Sequence, residues 1–158
     1  MRKPVVVVGS LNLDLVVNPE RAPAAGETVF ASRLDQFPGG KGANQAVAAA
    51  RLSAPVAMVG RVGQDGFGDR LLESLRADGV GTEGVSRSAT AGTGTAVITV
   101  DATGQNRIVV VAGANQHVDA EMVDRSAERI RSADVVVVQG EIPAAGTSRA
   151  AELTTGRL

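Results

Sequence analysis

Val5-Val6-Val7-Val8-Gly9-Ser10-Leu11-Asn12-Leu13-Asp14 is the stretch on which the fold turns. Four consecutive valines form an unbroken apolar run, the pattern of a strand buried on both faces, and such strands belong to parallel sheets covered by helices. Val135 to Val138 repeats the run, and Val56 to Val59 is a weaker third. Helical spacing lies between these strands. Phe67, Leu71 and Leu75 follow Asp65-Gly66, while Ala120, Val123, Ala127 and Ile130 follow Asp119, an N-cap for a single helix. Alternating strands and helices predict an α/β layer fold with a mostly parallel sheet flanked by helices.

One region departs from this alternation. Thr95-Ala96-Val97-Ile98-Thr99-Val100, a glycine turn and Arg107-Ile108-Val109-Val110-Val111 read as a β-hairpin with Ala96, Ile98 and Val100 on one face, and residues 28–37 read as another extended piece. These strands form either a small accessory sheet, serving as a lid or an oligomer contact, or a decorated edge of the main sheet. At the other end, Pro143 to Leu153 reads as a helix, and Thr154 to Leu158 as the turn towards a further strand, so the chain stops within a βα repeat.

Composition narrows the function classes. The 158 residues are one domain or a piece of a larger one, and 44% apolar with 21% charged residues is ordinary for a globular chain. A net charge of −1 gives no electrostatic footprint for a nucleic-acid or membrane partner. No apolar run approaches the ~20 residues that cross a bilayer. Met1-Arg2-Lys3-Pro4 leads straight into the first strand with no signal-type apolar segment. Zero cysteines exclude a disulfide framework, a thiol nucleophile and a thiolate metal site, and a cytoplasmic setting fits. Without Trp or Tyr there is no large aromatic platform for stacking a base.

Polar residues gather at the strand ends, where ligands bind in open α/β sheets. Asn12 and Asp14, two apart, point the same way in extended backbone, either to grip a polyol jointly or to close the strand in an Asx turn. Gly39-Gly40-Lys41-Gly42-Ala43-Asn44-Gln45 opens an alanine-rich helix. Its N–H groups and dipole suit hydroxyls or anions, or else its glycines simply let the helix pack closely on a strand. Lys41 is one of only two lysines among sixteen basic residues, so a compact ammonium stands out there. Gln139-Gly140-Glu141 follows the last valine run, its carboxylate serving either sugar hydroxyls or a helix terminus. Asn12, Asp14, Lys41, Asn44 and Glu141 are expected to converge on one crevice. Other chemistries lack their signatures: no Walker A or dinucleotide glycine spacing, a lone His117 without metal partners, and Ser10 outside a nucleophile elbow.

Together these stretches resemble the ribokinase-like (PfkB) family of carbohydrate kinases. The resemblance is carried in family order by Gly9 to Asp14, Pro23 to Thr28, Gly39 to Ala46, Gly60 to Gly68, Gly113-Ala114-Asn115 and Gln139 to Pro143. Within the family, Gly39 to Ala46 is closest to the branch that acts on ribose. The resemblance implies a Rossmann-like fold with a small β-sheet lid, residues 1–158 forming the N-terminal part of the kinase domain and the strands near 28–37 and 95–111 forming the lid. It implies that Asn12, Asp14, Glu141 and the Gly40 to Asn44 turn (Gly40, Lys41, Gly42, Asn44) bind D-ribose. It also implies transfer of the ATP γ-phosphate to the ribose 5-hydroxyl, with Mg²⁺ and K⁺, in a homodimer paired through the lid. The chain departs from the family in having no Gly-Ala-Gly-Asp motif. The catalytic base, nucleotide pocket and cation site are therefore expected in a C-terminal half that this sequence does not contain, leaving either half of a kinase or an inactive sugar-binding module. A further departure is Gly140, where a larger apolar residue is usual and whose absence is expected to loosen Glu141.

Overall fold

The computed structural model describes residues 4–158, so Met1 to Lys3 lie outside the described residues. The valine runs build the main sheet. Strands β1 (Val5–Val8), β4 (Val56–Gly63), β5 (Val80–Ser88) and β8 (Val135–Val138) lie in the order β5-β4-β1-β8, all parallel. The run in β1 is apolar throughout because both faces are covered. Val6 and Val8 enter one core with Val123, Ile130, Val136 and Leu153, whereas Val7 enters the other with Leu13, Ala46, Met58 and Leu71. The second core lies under α1 (Lys41–Arg51) and α2 (Gly66–Ala77). Asp65 caps α2, accepting from the Gly68 N–H at 2.8 Å.

A second sheet comprises β2 (Asn12–Pro19), β3 (Ala31–Gly39), β6 (Gly94–Val100) and β7 (Asn106–Val111), in the order β3-β2-β6-β7. The extended piece and the hairpin are therefore strands of a separate sheet and do not decorate the main one. Asn12 is the first residue of β2, so the Asx-turn reading of Asn12 and Asp14 is replaced by regular strand pairing. The register sets Asp14 opposite Ala96 and Ala96 opposite Val110.

Two local expectations change. The single helix after Asp119 is two short ones, α3 (Ala120–Asp124) and α4 (Ala127–Arg131). The Ser126 N–H turns back to the Val123 carbonyl at 2.9 Å, tightening the chain by one residue there, and both Val123 and Ile130 remain fully buried. Strand β5 carries no apolar run, because it is an edge strand that buries only Val80, Thr82, Gly84 and Ser88. After α5 (Ala144–Leu153), Arg157 bridges in parallel to Val135, as the predicted turn towards another strand requires.

Candidate sugar-binding site

The site forms where the chain leaves the main sheet for the second one. Gly9, Ser10 and Leu11 link β1 to β2, and the start of α1 is pressed against this link. Gly40 has φ +91°, and a Cβ there would lie 2.8 Å from the Asn12 nitrogen. A Cβ on Gly42 would lie 2.6 Å from the Ser10 nitrogen. The glycines are thus needed for close backbone approach, which answers one of the two readings of this turn.

The other reading, free helix N–H groups, is corrected. The Lys41 N–H donates to Glu141 Oε2 (3.0 Å), the Gly42 N–H to Ser10 Oγ (3.3 Å) and the Ala43 N–H to the Ser10 carbonyl (3.0 Å). The first turn of α1 is therefore capped from distant parts of the chain. The Glu141 carboxylate sits at the positive end of the helix dipole, where it is favoured. It also accepts from Lys41 Nζ and Ser10 Oγ, both at 2.7 Å. These bonds hold Glu141 in place even though nothing lies within 4 Å of where a Gly140 side chain would begin, so the loosening expected from Gly140 is offset.

Six of the seven residues singled out by sequence line one cleft of about 210 Å³: Asn12, Asp14, Gly40, Lys41, Asn44 and Glu141. Gly42 is not among them, being buried against Ser10. Ala96 and Ile98 of β6 and Ile108 and Val110 of β7 line the same cleft. A second cavity of about 380 Å³ adjoins it, sharing Asn12, Val110 and Glu141 and adding Asn115 and Gln116. Asn12 and Asp14 share the wall of the second sheet with the apolar Ala96, Ile98, Ile108 and Val110, while Lys41, Asn44 and Glu141 come from outside that sheet, a mixed lining that suits a small polyol.

Two residues escaped assignment from sequence. Ser10 is fully buried and joins Glu141 to the α1 N-terminus. Asn115, 1% exposed in the 3-10 turn Gly113–His117, bonds Leu11 and Asn12. Their partners lie 131 and 104 residues away, so local pattern carries no trace of the bonds. Asn115 does fall in a stretch that resembles the family.

The two carboxylates of the cleft are driven apart. Burial pushes the Asp14 carboxyl above the usual aspartate range, and the nearby Glu141 charge adds to this. Burial also works against ionised Glu141, but the bonds from the Lys41 side chain, the Lys41 N–H and Ser10 outweigh it and hold its pKa below the ordinary value. A depressed carboxyl stabilises the fold above its unfolded pKa, about 4.3, and that contribution is lost as pH falls through the folded value. The raised Asp14 carries the opposite sign, favouring the fold at low pH and opposing it as the pH rises past the folded value. Glu141→Gln is therefore expected to shrink the loss of thermal stability seen on acidification below about pH 4.5. An unchanged difference between the melting temperatures at neutral and acid pH would remove Glu141 from that role.

Among the described residues, no group of three or more His, Cys, Asp or Glu side chains converges as for a metal ion. No helix is long and apolar enough to cross a membrane.

A parallel sheet flanked by helices with a small second sheet is the architecture of a carbohydrate-kinase family, and the chain belongs to the pfkB family of carbohydrate kinases, whose pattern matches residues 2–155. It is similar to the ribokinase of Bacillus subtilis, 47% identical over 139 residues, and to the deoxyribokinase of Salmonella typhi, 38% identical over 138. These matches cover 88% and 87% of this chain but 47% and 45% of those relatives. The structure of Arabidopsis thaliana ribokinase complexed with ribose and ATP superposes with a TM-score of 0.89 at 40% identity, over 97% of this chain and 50% of that one. The chain thus spans about half the length of the relatives it matches.

Proposed function

We propose that residues 1–158 are the sugar-binding, N-terminal part of a ribokinase-type kinase domain that transfers the ATP γ-phosphate to the 5-hydroxyl of D-ribose. The reading rests on one observation above all: Asn12, Asp14, Lys41, Asn44 and Glu141, from three separate regions of the chain, line a single cleft. In this reading Asp14 accepts hydrogen bonds from ribose hydroxyls, and Asn12, Asn44 and Lys41 donate to others. Glu141 holds the sugar from the opposite side while capping α1. The strands near 28–37 and 95–111 act as the lid, whose Ile98, Ile108 and Val110 exclude water from the sugar so that phosphate passes to it rather than to solvent.

ATP, Mg²⁺ and K⁺ are the cofactors of the proposed reaction. Among the described residues no three or more His, Cys, Asp or Glu side chains gather as for a metal ion, and the sequence has no phosphate loop, so no step involving these groups is assigned to them. Val97, Val109 and Val111, exposed on the face of β6 and β7 opposite the cleft-lining Ile108 and Val110, support pairing of two lids in a homodimer. A cytoplasmic location accords with the use of ATP.

Calorimetric titration with D-ribose, alongside ribose-dependent ADP release in ATP, Mg²⁺ and K⁺, tests this reading. Ribose is expected to bind the 158-residue chain, with ADP release no faster than in a no-sugar control. Release well above that control would place the catalytic base on a carboxylate of this chain, Asp14 first, and overturn the proposed division of labour. A folded chain with no affinity for ribose would overturn the sugar assignment.

A further inference from the structure

We infer that Asn115 is a positioning residue that sets which end of the Asn12 amide faces the cleft, and so fixes the donor and acceptor order that a bound sugar must match. The inference rests on the reading of this cleft as a sugar site.

The argument begins with a peptide group that cannot be reversed. The Leu11 N–H requires an acceptor and the Leu11 carbonyl offers one. Asn115 meets both, its Oδ1 accepting from the Leu11 N–H at 2.9 Å and its Nδ2 donating to the Leu11 carbonyl at 3.0 Å. A flipped Asn115 amide would set donor against donor and acceptor against acceptor, at a buried site where unmade hydrogen bonds are costly. The orientation of Asn115 is therefore dictated by the backbone. Its second Nδ2 proton then points at Asn12 Oδ1, 2.8 Å away.

That bond settles Asn12 in turn. Its oxygen is turned to Asn115, and its Nδ2 has no hydrogen-bond partner among the described residues, while Asn12 lines both adjoining cavities. Asn12 thus presents a donor to the cleft, and Asp14, two residues along the same face of β2, presents an acceptor. A hydroxyl facing the Asn12 Nδ2 accepts and keeps its own proton for a neighbour; a hydroxyl at the ionised Asp14 donates. Gly94 belongs to the same device. It stands opposite Asn12 in the register, and a Cβ there would overlap both Asn115 Nδ2 and Asn12 Oδ1.

Hydrogen exchange of the side-chain amides in the ¹⁵N-labelled chain, with and without D-ribose, tests the inference, together with ribose titration of variants. In the sugar-free wild type the Asn115 Nδ2 protons are expected to exchange slowly and those of Asn12 fast, with Asn12 slowing when ribose saturates. Asn115→Asp keeps the acceptor for the Leu11 N–H but removes the donor both to the Leu11 carbonyl and to Asn12. The Asn12 amide should then turn to donate to the introduced carboxylate, so that its protons are protected without sugar and ribose affinity falls at least tenfold. A purely structural role for Asn115 would not reverse that protection. Gly94→Ala, which obstructs the Asn115–Asn12 bond without removing either amide, is expected to lower ribose affinity as well. Protected Asn12 protons in the sugar-free wild type would overturn the inference whether or not either variant folds. So would unchanged Asn12 exchange and ribose affinity in folded Asn115→Asp. A wild type with the expected exchange pattern but no ribose affinity would sink the sugar reading alone.

Discussion

Asp14→Ala is expected to weaken D-ribose binding by about a hundredfold or more while leaving the melting temperature unchanged or slightly raised. A hydrogen bond to a charged group is worth about 1.5–3 kcal/mol, so a carboxylate holding two hydroxyls accounts for about 3 kcal/mol or more of affinity. The fold gains nothing comparable from the residue. The Asp14 side chain makes no hydrogen bond or ion pair among those found in the described residues, and burial and the Glu141 charge both oppose its ionisation. Near neutral pH this carboxylate is thus a cost to the sugar-free protein, repaid only by a ligand. Asp14→Asn should share the loss of affinity and also raise stability at neutral pH, because it removes the charge and keeps the shape. Ribose affinity retained within a few-fold in a folded Asp14→Ala would remove this residue from the site, and a large drop in melting temperature would show that it is structural.

The second large effect is expected at Gly40. Gly40→Ala combines a backbone at φ +91°, which L side chains rarely adopt, with a Cβ pressed against the backbone of Asn12, Ser10 and Leu11. Strain of this kind costs about 1–3 kcal/mol and overpacking about 1–3 more. The sum, about 3 kcal/mol or more, is a large part of a typical stability of about 5–15 kcal/mol. In a chain of this size it corresponds to a fall of about 10 °C in melting temperature. Gly26→Ala is the matched control. Gly26 also has positive φ (+76°) but nothing within 4 Å of its would-be Cβ, so only the backbone term applies. If the two variants melt within a degree or two of each other, close approach of α1 to the Ser10–Asn12 link is not what requires Gly40.

What was legible in the sequence follows from how local each signal is. The valine runs at 5–8 and 135–138 announced doubly covered strands because burial on both faces leaves no polar alternation. The hairpin at 95–111 was legible from alternation and a turn. Asn12, Asp14, Lys41 and Glu141 stood out because polar residues at strand ends and helix starts have few structural uses there. Strand β5 was not legible, since only its pairing with β4 makes a strand of Val80-Gly81-Thr82-Glu83-Gly84-Val85. The break between α3 and α4 was hidden for the opposite reason: the helical spacing of Val123, Ala127 and Ile130 survives it. Ser10 and Asn115 could not be given roles from local pattern, because their bonds to Glu141 and Leu11 span more than a hundred positions.

The cleft draws its polar groups from two separately built sheets. Asn12 and Asp14 ride on β2, whereas Lys41, Asn44 and Glu141 are anchored to the α1 N-terminus and the end of β8. A ligand that touches both sets is a brace across a joint, and its apparent affinity scales with the fraction of molecules whose sheets already stand at the matching separation. Leverage on that separation lies outside the residues that line the cleft. Just ahead of β6, the Thr93 N–H and hydroxyl both donate to the Asp65 carboxylate, at 2.8 and 2.6 Å, riveting the second sheet to the cap of α2. If the cleft is a sugar site as proposed, a change at this rivet retunes affinity while leaving every cleft-lining group as it is.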